Sequence, residues 1–402
     1  MLGAIYIGQS GMTAYSKGLD VISNNVANLN TPGFKVTTPV FSDELTQNDD
    51  GAVRGSGGAP TDGAGVSVDT NQLSFSAGDL QSTGNPLDAA IDGNGFFVLQ
   101  RNGQMLYTRA GQFEFDANGQ LVDTVTQAPV MMSVGSTSPS AFNMNDYRVY
   151  PPQATTTATL TGTLSRSDSG TYSMPAFTLI DSSGGSQQVT AKFVRDSTDA
   201  SKWSVEVDDA NGKSIGTGNL AFNADGSPQD GQNSMTVTLA PANVTASTVT
   251  INFGAAGSFA GVTSTTGATT SQLTLQHQDG AQLGSVTTMA FDDKGELTFT
   301  YSNGLTKTPA TLLLASFDDQ NQLKQQDGGL FTAPNDVHPT LATAQTQGLG
   351  QVVGGQIEQS NVDLTQQFSN LIIIQRGYQA SSQLTSVANE MIQQLLQMGE
   401  HP

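Results

Sequence analysis

The sequence predicts a mainly β protein with an α-helix at each end. The N- and C-terminal helices pair as a coiled coil, carrying a discontinuous β domain with a second, barrel- or sandwich-like β domain inserted in it. Three observations predict this. Helical periodicity is confined to the two extremities. The 402 residues hold 44 Gly and 35 acids, mostly turn-forming Asp rather than helix-forming Glu. A turn frame seen early in the chain returns after a Thr/Ser-rich stretch of different composition.

The N-terminal helix is read from Ile5, Met12, Tyr15, Leu19, Ile22, Val26 and Leu29, spaced 7, 3, 4, 3, 4 and 3, a heptad-like stripe. It stops in NNVANLNTPGFK. Asn24, Asn25, Asn28 and Asn30 compete for backbone hydrogen bonds, and the proline after Thr31 pushes that residue out of the helical region. Pro32-Gly33 suits the centre of a type II turn. Gly3, Gly8, Gly11 and Gly18 each cost about 1 kcal/mol against alanine. This helix is therefore expected to fray alone, and both termini to order only on assembly.

The next segment, 31–70, contains NDDGAVRGSGGAPTDGAG and reads as an extended connector. Strand alternation follows from 71, with Asn-Gly hairpins in GNGFFVLQRNGQMLYTR and QFEFDANGQLV. From 148 to 279 the chain turns to Thr, Ser and Ala with short β-rich runs such as KWSVEV and MTVTL. FDANGQL, FDDKGEL and FDDQNQL share the frame Phe-Asp-x-x-Gly/Asn-x-Leu, with Gly or Asn at the left-handed position. One copy precedes the Thr-rich stretch and two follow it, so the division expected is 71–147 with 280–359 around an insert at 148–279. The helical part is 1–30 with 360–402.

The C-terminal helix runs from Asp363 to about Met398 without proline. Leu364, Phe368, Leu371 and Ile372 open its stripe, and Leu384, Val387, Met391, Leu395 and Met398 continue it. Asn361 or Ser360 is the expected N-cap, with Asp363 in the first turn. Neither helix can bury its stripe alone. The economical reading pairs them with each other and with copies of the chain, through Leu19, Ile22, Val26, Leu364, Phe368, Leu371, Leu384, Val387, Met391 and Leu395 as an assembly core.

A net charge of −20 argues against nucleic acid as a partner. The terminal helices lack the Lys and Arg of interfacial helices, and no apolar run is long enough to span a bilayer, so a membrane is not expected either. There are no cysteines for disulfides or thiolate sites. The N-terminus lacks signal-peptide features, so export would leave it uncleaved. His277, His338 and His401 are not at metal-ligand spacing. Gly212-Lys213-Ser214 lacks the upstream glycine of a phosphate loop and reads as a hairpin turn. The Asp-rich turns lack a calcium-loop pattern, and Trp203 reads as strand core. No catalytic, cofactor-binding or metal-binding residue is nominated.

DVISNNVANLNTPGFK resembles the N-terminal signature of the bacterial flagellar rod and hook protein family. Asn24, Asn25, Ala27, Asn28, Thr31, Pro32, Gly33, Phe34 and Lys35 carry the likeness. SNVDLTQQFSNLIIIQRGYQA is similar to its C-terminal signature, through Asn361, Asp363, Leu364, Gln375, Arg376, Tyr378, Gln379 and Ala380. GNGFFVL and YTRAGQFEFDANGQLV are similar to its outer domain. Length and insert resemble the hook members more than the shorter rod members.

The resemblance implies a homopolymeric tube between motor and filament, lined by the terminal helices and transmitting torque as a curved, flexible joint. It implies the flagellar rod, hook cap and hook–filament junction proteins as partners, and secretion through the flagellar type III export apparatus to an extracellular site. A distal rod subunit is the alternative within the family. A secreted β-rich adhesin or glycan-binding protein is the alternative outside it.

Overall fold

In this computed structural model, residues 2–45, 63–135, 138–167 and 170–399 are described. The chain divides into two units: Met1–Asn145 with Met289–Thr298 and Lys307–Pro402, and Asp146–Thr288 with Phe299–Thr306.

The first unit contains both long helices. Helix α1 spans Leu2–Ala27, strands β1 (Thr37–Leu45) and β2 (Gly63–Leu73) follow, and helix α2 spans Leu364–Gly399. The stretch expected as an extended connector is instead partly a ribbon, because β1 and β2 pair antiparallel from Thr37 opposite Leu73 to Leu45 opposite Gly63. Alternating Thr, Val and Ser suit paired strands better than a free linker. The glycine-rich stretch 46–62 lies outside the described residues.

Of the glycines expected to fray α1, Gly3 is exposed, while Gly8, Gly11 and Gly18 lie on its packing face. Its buried positions are Gly8, Gly11, Ala14, Gly18, Ile22 and Asn25, a line beside the predicted stripe that shares only Ile22 with it. A Cβ on Gly8 would collide with Thr385 Oγ1 and lie 3.1 Å from the Ser381 carbonyl oxygen; one on Gly11 would lie 2.6 Å from Ser381 Oγ. On Gly377 of α2 it would lie 2.5 Å from the Tyr15 ring. Small residues let the helix axes approach closely, and the burial gained offsets the propensity lost. Met12, Tyr15, Leu19 and Val26 are only half-buried as a result.

The N-cap of α2 also differs from expectation. Asp363 caps it, its carboxylate accepting from the amides of Thr365 at 2.7 Å and Gln366 at 3.2 Å.

The β part of this unit includes a six-stranded sheet. Phe96–Arg101 and Gln104–Thr108 are its central hairpin, turned by Asn102 and Gly103, both at positive φ as a two-residue primed turn requires. Phe96, Phe317 and Phe331 pack edge to face in the core beneath. The turns at Asp116 and Asp292 follow the shared frame: each carboxylate accepts two amides and Gly119 or Gly295 takes the left-handed position. FDDQNQL departs from it. Without a glycine its chain makes a 3-10 turn at Gln320–Gln322, capped by Asp319.

The second unit packs two five-stranded sheets around one core. Thr157–Ser165 is central to one, pairing parallel with Ser247–Asn252 and Val262–Thr265 and antiparallel with Gln272–Gln278. Ser186–Arg195, Lys202–Asp209 and Ser214–Ala221 build the other, with Thr171–Ser173 and Phe177–Ile180 both paired to the first of these. Leu160, Phe193, Trp203, Val207, Ile251 and Phe253 fill the space between them. Gly212, at φ +77°, turns the hairpin that resembled a phosphate loop.

Candidate assembly site at the root of the terminal helices

The two sequence signatures meet at one place. After α1, the Phe34 amide donates to the Thr31 carbonyl, closing a turn with Pro32 and Gly33 at its centre and Gly33 at φ +69°. The Gly33 amide donates to the Glu358 carbonyl at 2.8 Å. A side chain at Gly33 would collide with Ala110 N and lie 2.7 Å from the Arg109 carbonyl carbon, so glycine is required twice over.

Lys35, next to this turn, is fully buried. Its Nζ lies 2.6 Å from Glu358 Oε1 and donates to the Ser76 carbonyl at 2.7 Å. The Gly78 amide also donates to Glu358 Oε1, at 2.8 Å. Arg109 completes the cluster: its Nη1 is 3.4 Å from Glu358 Oε2, a charge contact rather than a hydrogen bond, and it donates to the carbonyls of Ile91 and Gly93. Its guanidinium sits over the Phe96 ring at 5.4 Å. Burial pushes the Lys35 ammonium below its ordinary value, while the Glu358 charge and hydrogen bond oppose that shift. Burial lowers Arg109 too, again opposed by Glu358. Glu358 is the one carboxylate between two cations, so removing it would strand both in a dry site.

Two amides extend this polar root. Asn25 Nδ2 donates to the Thr37 carbonyl at 2.7 Å and to Gln367 Oε1 at 3.0 Å, and its Oδ1 accepts from the Thr37 amide at 3.0 Å. One side chain thus fixes α1 to β1 and to α2. Asn361 accepts from the Val36 amide at 2.7 Å and donates to the carbonyls of Ser74 and Ser76.

The predicted residues therefore separate by role. Asn25, Gly33, Phe34, Lys35 and Asn361 converge at the root. The Asn24 side chain accepts from Asn28 Nδ2, and Asn28 Oδ1 accepts from the Thr31 hydroxyl. Ala27, Gln375, Arg376, Tyr378, Gln379 and Ala380 are exposed. Of the residues expected to cement helices whose side chains are described, Ile22 alone is buried; Leu19, Val26 and Leu371 are half-buried. Phe368 is 52% exposed, Leu384 45%, Val387 47% and Met391 48%. Leu364 also faces out, and the Leu395 side chain lies outside the described residues.

Sequence reasoning missed Arg109, Glu358 and Gln367. Arg109 and Glu358 are lone charges in nearly neutral stretches, which is the signal that was available. Among the described residues no helix is long and apolar enough to cross a membrane.

The sequence matches four known families along its length: "Flagella basal body rod protein" over 5–35, "Flagellar hook protein FlgE/F/G D1 domain" over 90–136, "Flagellar basal body protein FlaE D2 domain" over 152–285, and "Flagellar basal body rod FlgEFG protein C-terminal" over 353–398. The flagellar hook protein FlgE of Escherichia coli is 28% identical over 97% of this chain and 98% of its own. That of Borreliella burgdorferi is 27% identical over 99% and 100%. Among solved structures, the Helicobacter pylori flagellar hook protein FlgE2 superposes with a TM-score of 0.52 at 12% identity, over 68% of this chain and 98% of its own.

Proposed function

We propose that this chain, which belongs to the bacterial flagellar rod and hook protein family, is the structural subunit of the flagellar hook and polymerises into a curved tube that carries motor torque to the filament. The observation that carries the reading is the apolar face of α2: Phe368, Ile372, Leu384, Val387 and Met391 stay open although α1 is already packed on that helix. A single chain leaves this surface wet, and copies of the chain cover it.

In this reading the paired helices form the inner wall, and the β parts form the outer layers. Its neighbours are the rod, the hook cap and the hook–filament junction proteins, and the subunit is exported by the flagellar type III apparatus. Many weak contacts between outer layers poor in long charged side chains give near-equal packings, so the tube bends as it turns. The rod alternative would give straight tubes.

The test is Leu384→Asp. It should abolish sedimentable polymer while Trp203 fluorescence, which reports the second unit, stays native. Polymers forming as in the parent chain would remove the helices from the assembly core.

A further inference from the structure

The dipeptide Asn-Gly occurs five times, at Asn94, Asn102, Asn118, Asn211 and Asn303. Glycine has no Cβ, so its amide nitrogen can approach the preceding asparagine carboxamide with the least steric hindrance. Whether it arrives is decided by the turn that holds the pair.

At three of the sites the glycine amide is already engaged. Gly119 donates to the Asp116 carbonyl at 2.9 Å, Gly212 to that of Asp209 at 3.0 Å and Gly304 to that of Tyr301 at 2.9 Å, so each asparagine is third in a hydrogen-bonded four-residue turn. Asn94 is tied through its carbonyl, which accepts from the Gly350 amide at 2.7 Å, and Gly95 is buried.

Asn102-Gly103 differs. These are the two loop residues of the hairpin closed by Arg101 and Gln104, both exposed, at φ +53° and +80°. Among the described residues, neither the Asn102 carboxamide nor the Gly103 amide has a hydrogen-bond partner. Closing a five-membered ring from Gly103 N to Asn102 Cγ needs the Asn102 ψ to turn from about +30°, its value in a type I′ turn, to about −120°, its value in a type II′ turn. Both turns keep φ positive at the first residue and join two strands through two residues. Glycine at the second position accepts the accompanying change in the sign of φ. The ring therefore forms at the hairpin tip without a change of strand register. In the three hydrogen-bonded turns the same rotation swings the glycine amide off its acceptor.

We propose that Asn102 is a self-modifying site. The Gly103 amide loses its proton and bonds to Asn102 Cγ; the Cγ–Nδ2 bond breaks, and the carboxamide nitrogen leaves as ammonia with that proton. Water then opens the succinimide. Attack at Cγ gives aspartate, and attack at the Asn102 carbonyl carbon gives isoaspartate, whose main chain runs through the former side chain. Either product sets a new carboxylate at the tip, next in sequence to Arg101.

The test incubates the full chain at mildly alkaline pH, folded and in denaturant, and follows the five Asn-Gly peptides by mass. In the folded chain Asn102 should convert about tenfold faster than any other site, the margin set by a hydrogen bond that must first break elsewhere. In denaturant the five rates should converge. Asn102 no faster than the others when folded, or rates spread as widely in denaturant, overturns the proposal. So does conversion of Asn102 to aspartate without isoaspartate, because an imide opens at either carbonyl.

Discussion

Lys35 and Glu358 stand 323 positions apart in the sequence and 2.6 Å apart in the fold, both without solvent contact. One lies just after α1 and the other just before α2, so this pair sets where the two helices leave the β scaffold. Breaking a buried pair costs about 3–5 kcal/mol because the survivor stays uncompensated. Glu358→Gln should therefore lower the melting of the helical circular dichroism signal and leave the Trp203 transition in place. A single unchanged transition would show that the pair does not hold the helices.

Asn25 makes a second, electrically neutral clamp. Asn25→Leu keeps the approximate shape but leaves the Thr37 amide and carbonyl without that partner. Each stranded group costs about 1–3 kcal/mol. Hydrogen exchange should accelerate at Thr37 and across the last turns of α1 before it does elsewhere.

Gly33→Ala places a Cβ against the Arg109–Ala110 backbone in a left-handed conformation that costs about 1–2 kcal/mol even in free space. Backbone cannot give way as a rotamer can. The variant should expose Lys35 to solvent, readable as faster amine labelling of that residue than in the parent protein.

Gly8→Val wedges α1 from α2 at Thr385 and Ser381. Polymerisation should weaken although the substituted helix is, residue for residue, the better helix former. An improved assembly would mean that the glycines matter only as flexible points.

Acid should act on the second unit through its Asp turns. Burial raises the Asp279 carboxyl, but hydrogen bonds from Thr156 and Thr157 outweigh this and hold it down to about 2. Hydrogen bonds from Ser201, helped by Lys202, hold Asp199 at about 2 as well. Their ordinary value is 3.8, so the folded state binds these protons less readily than the unfolded chain. The stability they add is full above pH 3.8 and is lost as pH falls toward 2. The Trp203 transition temperature should be flat from neutrality to about pH 4 and drop below it. Asp279→Asn should blunt that drop.

Much of this architecture was legible because turns and helix ends are local. Asn102-Gly103 and Asp292 to Gly295 declare their conformations in four residues or fewer, and Pro32-Gly33 does the same. The seam between α1 and α2 was not legible. Gly8, Gly11 and Gly377 look like defects until the opposing helix is known to need their space, and the larger stripe beside them draws attention away. FDDQNQL misled for a related reason: Asn321 can take the left-handed position but is not forced to, and Asp319 captured the turn instead. The charge cluster needed three segments brought together, and no spacing rule joins Lys35, Arg109 and Glu358.

The central claim is that the open face of α2 is finished by neighbouring copies. Hydrogen exchange across Leu364–Gly399 in unassembled chain and in polymer tests it most directly. The account predicts exchange within seconds to minutes in the former and protection by orders of magnitude in the latter, with the second unit alike in both. Equal protection of α2 in the two states would contradict it.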